Sequence, residues 1–139
     1  MNWFIWALFS AFFAGLTAIL AKVGVEHIDS NLATAIRTVV ILIFAWAVAL
    51  ATKNQPFSSI GKRTWIFLVL SGIATGLSWL CYFRALQLGP ASRVAPIDKL
   101  SVALVIGFAA LFLGETLTWG KALGALLIVA GAIVVALDL

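Results

Sequence analysis

The sequence predicts an all-α integral membrane protein, a bundle of five closely packed transmembrane helices with almost no water-soluble part. Three observations carry this. First, 64% of the 139 residues are hydrophobic and only 10% are charged, with a mean hydropathy of +1.17. A soluble domain of this size has too much surface for its volume to hide that much apolar material, so the excess faces lipid. Second, the apolar residues fall into five runs, each near the roughly 20 residues that a spanning helix needs. Third, those runs are apolar all round, whereas the strands of a membrane barrel alternate.

The first span, about 3–21, carries no charge. Met1 and Asn2 form no positive leader region and the run is longer than the apolar part of a signal peptide, so it reads as a retained span. A short polar link, 22–31, holds Glu26, His27 and Asp29. The second span, about 32–51, is interrupted only by Arg37. The loop 52–63 follows, marked by Asn54, Pro56, Ser58, Ser59 and Gly61. The third span, about 64–86, carries Arg84 near its end. Gly89-Pro90 is a stop, with glycine suited to the helix cap and proline beyond it. The fourth span is about 94–113 and the fifth about 117–137. Nothing is left over for a second domain, so residues 1–139 read as one transmembrane domain.

An odd number of spans puts the two termini on opposite sides. Lys53, Lys62, Arg63 and Lys121 fall on the N-terminal side, and Lys22, Arg37, Arg84, Arg93 and Lys99 on the other. The bias is slight, and it favours the N-terminal side as cytoplasmic once bases within the membrane are discounted. So little topogenic preference is compatible with insertion both ways, a dual topology. The net charge of +4 sits at helix ends with no aromatic-interleaved basic face, so no nucleic-acid partner is expected. Cys81 is the one cysteine, which excludes an intramolecular disulfide and a cysteine metal cluster. His27 has no second histidine or cysteine beside it and reads as a solvated link residue. No metal and no cofactor are expected. Asp98 and Glu115 lie at opposite ends of the fourth span, too far apart for a catalytic carboxylate pair, and no nucleophile or phosphate-loop motif occurs. The chain is not expected to be an enzyme.

Folding the spans up and down collects Lys22, Arg37, Arg84, Arg93, Asp98 and Lys99 on one side of the membrane. Asp98 and Lys99 then lie roughly 10 Å below the Gly89-Pro90 turn, a depth at which ionisable groups are costly and are turned inward and paired. Neighbours in a helix point about 100° apart, so Asp98 is expected to take its base from another helix, with Arg37 or Arg84 as candidates. The resulting hypothesis is a basic vestibule with Asp98 as its counter-charge. The bland alternative is that long basic side chains near helix ends snorkel to the headgroups. It weighs most for Lys22 and Arg93, and least for Asp98, whose side chain is short.

Ser71, Thr75, Ser78 and Tyr82 follow helical spacing along the third span, with Trp79 beside them. Trp6, Ser10, Ala14, Thr17 and Ala21 make a similar stripe in the first. Such faces line cavities or pack against neighbouring helices, and both readings stand. Packing signals include Gly72 and Gly76, Gly120 and Gly124, Gly131 seven residues on, and the run Ala103, Gly107, Ala110, Gly114. Gly107, Gly114, Gly120, Gly124 and Gly131 are the expected positions of close helix approach, within or between chains. Pro96 either lies one turn inside the fourth helix or starts it. Either way a helix N-terminus, favourable to an anionic group, lies near the vestibule.

The second half, Tyr82–Leu139, resembles the EamA-type half of the drug/metabolite transporter superfamily, most specifically over Tyr82–Gly131. The resemblance rests on Ala85-Leu86 after the third span, Gly89-Pro90-Ala91-Ser92 opening the fourth, Leu113-Gly114-Glu115 closing it, and Gly124 and Gly131 in the fifth. Arg37 fits the same pattern, and the five-span layout extends it to the whole chain. The resemblance implies one half of an inverted-repeat fold, in which ten spans are normally built from two inverted halves. With no internal duplication here, it implies an antiparallel homodimer in the cell (inner) membrane that moves a small-molecule substrate by alternating access. The substrate and coupling candidates are Asp98, Lys99, Arg37, Arg84, Tyr82, Trp79, Ser78 and Thr75. The seven-spaced glycines also resemble those of small multidrug resistance proteins. The membrane glutamate of that group has no counterpart at Ala14-Gly15-Leu16, which argues against cation/proton antiport of that kind. The functions in competition are a carrier for a small polar, anionic metabolite, a flippase for a lipid-linked anionic headgroup, and a non-transporting accessory or scaffold subunit.

Overall fold

The computed structural model of the protein describes residues 2–52 and 55–138. Lys53, a contributor to the expected charge count, and Asn54, a marker of the expected loop, lie outside them. The described residues form helices and turns and no strand: α1 (Trp3–Gly24), α2 (Ser30–Thr52), a 3-10 turn (Phe57–Ser59), α3 (Lys62–Leu88), α4 (Ala91–Asp98), α5 (Ser101–Phe112) and α6 (Trp119–Leu137). Five stretches are long and apolar enough to cross a membrane, the fourth being α4 and α5 together, Ala91–Phe112. The fold class is the all-α membrane architecture that the composition demands. At 27 residues α3 is roughly 40 Å long. It exceeds the hydrocarbon core and carries its terminal polar residues into the headgroup region.

The chain packs as two compact units. One is Val23–Gln87, the link with α2 and α3. The other comprises α1 up to Lys22 and the chain from Leu88 onward.

In the first unit the link is tied down by side chains. Asp29 is the N-cap of α2: its Oδ1 accepts from the backbone N–H groups of Asn31 and Leu32, both at 3.0 Å. That satisfies two of the donors a helix start leaves orphaned. Val25 and Leu86 are fully buried, with Phe83, Ala33 and Thr34 buried as well. The Thr34 hydroxyl donates to the Ser30 carbonyl at 2.8 Å, so its burial leaves no polar group unsatisfied. In the second unit α6 packs against α4 and α5. Lys22 Nζ donates to the Gly89 carbonyl at 3.1 Å, tying the end of α1 to the turn before α4.

Most large apolar side chains point outward, among them Phe12, Phe44, Leu104 and Leu126. In water such a surface would aggregate; in a bilayer it is the solvated one. Close packing is therefore narrower than the glycine pattern led us to expect. A Cβ built on Gly72, Gly76, Gly107, Gly124 or Gly131 would meet nothing within 4 Å, and on Gly120 only its neighbour Thr118 at 4.0 Å. Within the chain these glycines bring no two backbones together. Gly114 departs further from expectation: it lies beyond the end of α5 with φ of +67°, a conformation that glycine adopts without a Cβ clash. There it terminates the helix, and a Cβ built on it would meet nothing within 4 Å.

Candidate functional site: a broken fourth span and a stacked arginine

Pro96 lies inside α4. Its ring cannot donate to the carbonyl four residues back, which weakens the helix at this point. Past this point the ladder tightens: Lys99 N–H still donates to the Ala95 carbonyl, but Leu100, Val102 and Ala103 donate only three residues back, to Ile97, Lys99 and Leu100, and regular helix resumes at Ser101. The break falls roughly 12 Å along the span from Ala91. Asp98 and Lys99 sit at it.

Here the structure corrects the expected pairing. Lys99 Nζ donates to Asp98 Oδ2 at 3.2 Å, so Asp98 takes its base from the next residue. The 100° separation that argued against this holds inside a regular helix. Lys99 is the residue at which α4 ends, and its long stem folds back to the carboxylate. Arg37 and Arg84, the bases proposed for Asp98, are engaged within their own unit.

Arg37 lies roughly 10 Å along α2 from Ser30. Its guanidinium carbon is 4.5 Å from the ring centroid of Trp79 and 5.4 Å from that of Phe83. Trp79 and Phe83 are four residues apart on α3 and so form one aromatic ledge. The side chain is turned onto α3, where stacking of this kind is worth about 2 kcal/mol when desolvated. Stacking uses the flat face of the guanidinium and leaves its N–H donors at the edge. Among the described residues they make no hydrogen bond, so the group is a fixed planar cation with donors to offer.

Arg84 has a different task. Its Nη1 donates to Gln87 Oε1 at 2.7 Å, and Gln87 Nε2 donates to the carbonyls of Val25 and Ile28 at 3.3 and 2.7 Å. This relay staples the end of α3 to the α1–α2 link. Sequence reasoning passed over Gln87; the available signal was a long amide at the end of an apolar span, facing a link rich in free carbonyls. Replacing Gln87 with leucine strands those acceptors and should cost about 1–3 kcal/mol. Thermal unfolding in detergent would show it as a clear drop in midpoint beside a near-neutral Arg84→Ala. Equal midpoints for Gln87→Leu and wild type would refute the staple.

Of the polar stripe on α3, Tyr82 and Trp79 are half-buried, while Ser71, Thr75 and Ser78 are exposed. Thr75 turns its hydroxyl back to the Ser71 carbonyl at 2.9 Å. Thr75 is therefore satisfied within its own helix. A second pair escaped sequence reasoning: Arg93 Nη2 contacts Asp138 Oδ2 at 2.6 Å, with nearly half of the arginine side chain and most of the carboxylate exposed. It joins the start of α4 to the residue that ends α6. On the connection between α5 and α6, Lys121 pairs with Glu115 at 3.6 Å, and the Thr118 hydroxyl caps α6 by accepting from the Lys121 N–H. No group of three or more potential metal ligands occurs among the described residues.

An all-helical, multi-pass membrane protein with charged groups at a broken span is the class these features define. The chain matches the EamA-like transporter family over residues 1–137 and belongs to it; its function is of the transporter type. It is 57% identical over 136 residues to an uncharacterised transporter in the cobO 3' region of a Sinorhizobium species, covering 97% of this chain and 96% of that protein. An uncharacterised protein of Methanocaldococcus jannaschii is 26% identical over 131 residues, covering 94% and 93%. A probable 4-amino-4-deoxy-L-arabinose-phosphoundecaprenol flippase subunit, ArnF of Erwinia tasmaniensis, is 42% identical over 71 residues, 49% of this chain and 55% of that protein. No solved structure is a significant match.

Proposed function

We propose that the protein carries a small polar, anionic metabolite across the cell (inner) membrane by alternating access, as an antiparallel homodimer. The observation that carries this reading is the break between α4 and α5 with Asp98 and Lys99 at it. Carriers interrupt their helices where substrate and coupling ions bind, and here the tightened turn holds both signs of charge within the span. Lys99 supplies a cation at this joint; Arg37, in the other unit, offers one of its own. Both favour an anion. Asp98 is the acid placed to give way to that anion or to take up a proton.

The homodimer rests on parity and on space. Five spans leave the two ends of this stretch on opposite sides, so a second copy inserted the other way would supply an inverted half. The open glycine face of α6 is suited to it. The test is counterflow into proteoliposomes preloaded with pooled anionic metabolites. Saturable uptake of one labelled anion is expected, and no counterflow with any anionic pool would contradict the carrier reading.

A second reading is favoured by the likeness to the ArnF subunit: a flippase for a lipid-linked anionic headgroup. It predicts movement of a headgroup-labelled polyprenyl phosphate between leaflets in the same vesicles, with no counterflow of soluble anions.

A further inference from the structure

We propose that the α2–α3 loop holds a binding site for one anionic glycerophospholipid of the bilayer. The last turns of α2 and residues 55–60 enclose an open groove of about 620 Å³, within the range of ligand pockets. Its wall includes Leu42, Trp46, Leu50, Pro56, Phe57 and Ile60, so the interior is apolar. The groove is built by the chain: the Trp46 and Phe57 rings lie 5.6 Å apart. Gln55 Nε2 donates to Ser59 Oγ at 3.0 Å, and that hydroxyl donates to the Pro56 carbonyl at 2.7 Å. These bonds hold the 3-10 turn over the end of α2.

The chemistry at the rim names the occupant. Ile60 lines the groove and Lys62 and Arg63 begin α3 two residues later. Two cations at a helix N-terminus add to the positive end of the dipole, and no acid lies in that first turn. Neither residue has an ion pair among the described residues. The sequence holds no acid at all between Asp29 and Asp98. A counter-charge from outside the chain would answer them.

A second copy is a poor source. Of its five acids, Asp98, Glu115 and Asp138 are already paired with bases and Asp29 caps α2, which leaves Glu26 alone to answer two cations. An anionic lipid supplies both halves at once: an acyl chain for the apolar groove and a phosphate for the rim, at the depth where interfacial aromatics and lysines gather.

The test is native mass spectrometry of the purified full chain in mixed micelles, titrated with phosphatidylglycerol or phosphatidylcholine of identical acyl chains. With each interfacial base worth about 1 kcal/mol toward anionic lipid, wild type should prefer phosphatidylglycerol roughly 30-fold. The double variant Lys62→Gln/Arg63→Gln should bind both lipids at the phosphatidylcholine level. Phe57→Ser should weaken both lipids several-fold while keeping the preference; Leu50→Ser serves the same purpose if the first fails to fold. Four results would overturn the proposal: no preference in wild type, a preference that survives the double variant, wall variants with unchanged binding, or displacement of the lipid by free glycerol 3-phosphate. Self-crosslinking of Phe57→Cys in phosphatidylcholine and phosphatidylglycerol alike would overturn it too, by showing a second copy in the groove.

Discussion

Asp98→Asn is expected to abolish counterflow in proteoliposomes while the protein still inserts and keeps its helical content. The carboxylate is the partner of Lys99 at the break between α4 and α5. Removing its charge leaves an ammonium without compensation inside the span, and an unpaired charge there costs about 2.5–3.5 kcal/mol on insertion scales. That corresponds to roughly a 100-fold shift between conformational states. Lys99→Gln removes the complementary charge, so the double variant Asp98→Asn/Lys99→Gln should recover most of the lost stability. Transport should not return with it, because the anion loses its cation and the coupling acid is gone. The two readouts separate a working pair from one that merely sets helix register. A double variant that is both stable and active at the wild-type rate would sink the assignment.

The second large effect concerns α6. Gly124→Leu together with Gly131→Leu should leave the isolated chain folded, since nothing lies within 4 Å of either position. Helix propensity improves by about 1 kcal/mol at each. If a partner helix approaches this face, two leucines hold it off, and the van der Waals contact that drives association in lipid is lost. Crosslinking in detergent and in vesicles should show the dimer population falling at least tenfold (an estimate from the loss of close approach). Dimers that persist at wild-type levels would place the interface elsewhere, with the glycine face turned to lipid.

The five spans were legible because in lipid the backbone must satisfy itself, and a 20-residue apolar run has no other way to do so. The depth of Arg37 was legible for the same reason, but its ledge was not. Whether an arginine stacks or snorkels depends on which faces of α2 and α3 meet, and periodicity in a helix that is apolar all round carries no facing signal. The Asp98–Lys99 pair was missed because regular helical geometry was assumed where Pro96 and Lys99 interrupt it. Arg93 and Asp138 were within reach. Five spans put the residue after the last helix on the same side as the start of the fourth, and counting the acid there along with the bases would have paired them. The glycines were legible as smooth faces, and spacing leaves open what covers them; Gly114 proved to be a turn residue, because its positive φ cannot be read from its spacing.

The antiparallel homodimer is the claim on which the carrier reading turns, and orientation tests it most directly. Single cysteines at Ser58 and at His27 stand on opposite sides of the membrane by parity, and both native residues are exposed. In a Cys81→Ala background, intact cells would be treated with a membrane-impermeant thiol reagent and each site scored for labelling. The account predicts that Ser58→Cys and His27→Cys each label in about half of the molecules, as for a chain inserted equally both ways. Complete labelling at one site and none at the other would contradict it, because a single orientation leaves no inverted second half.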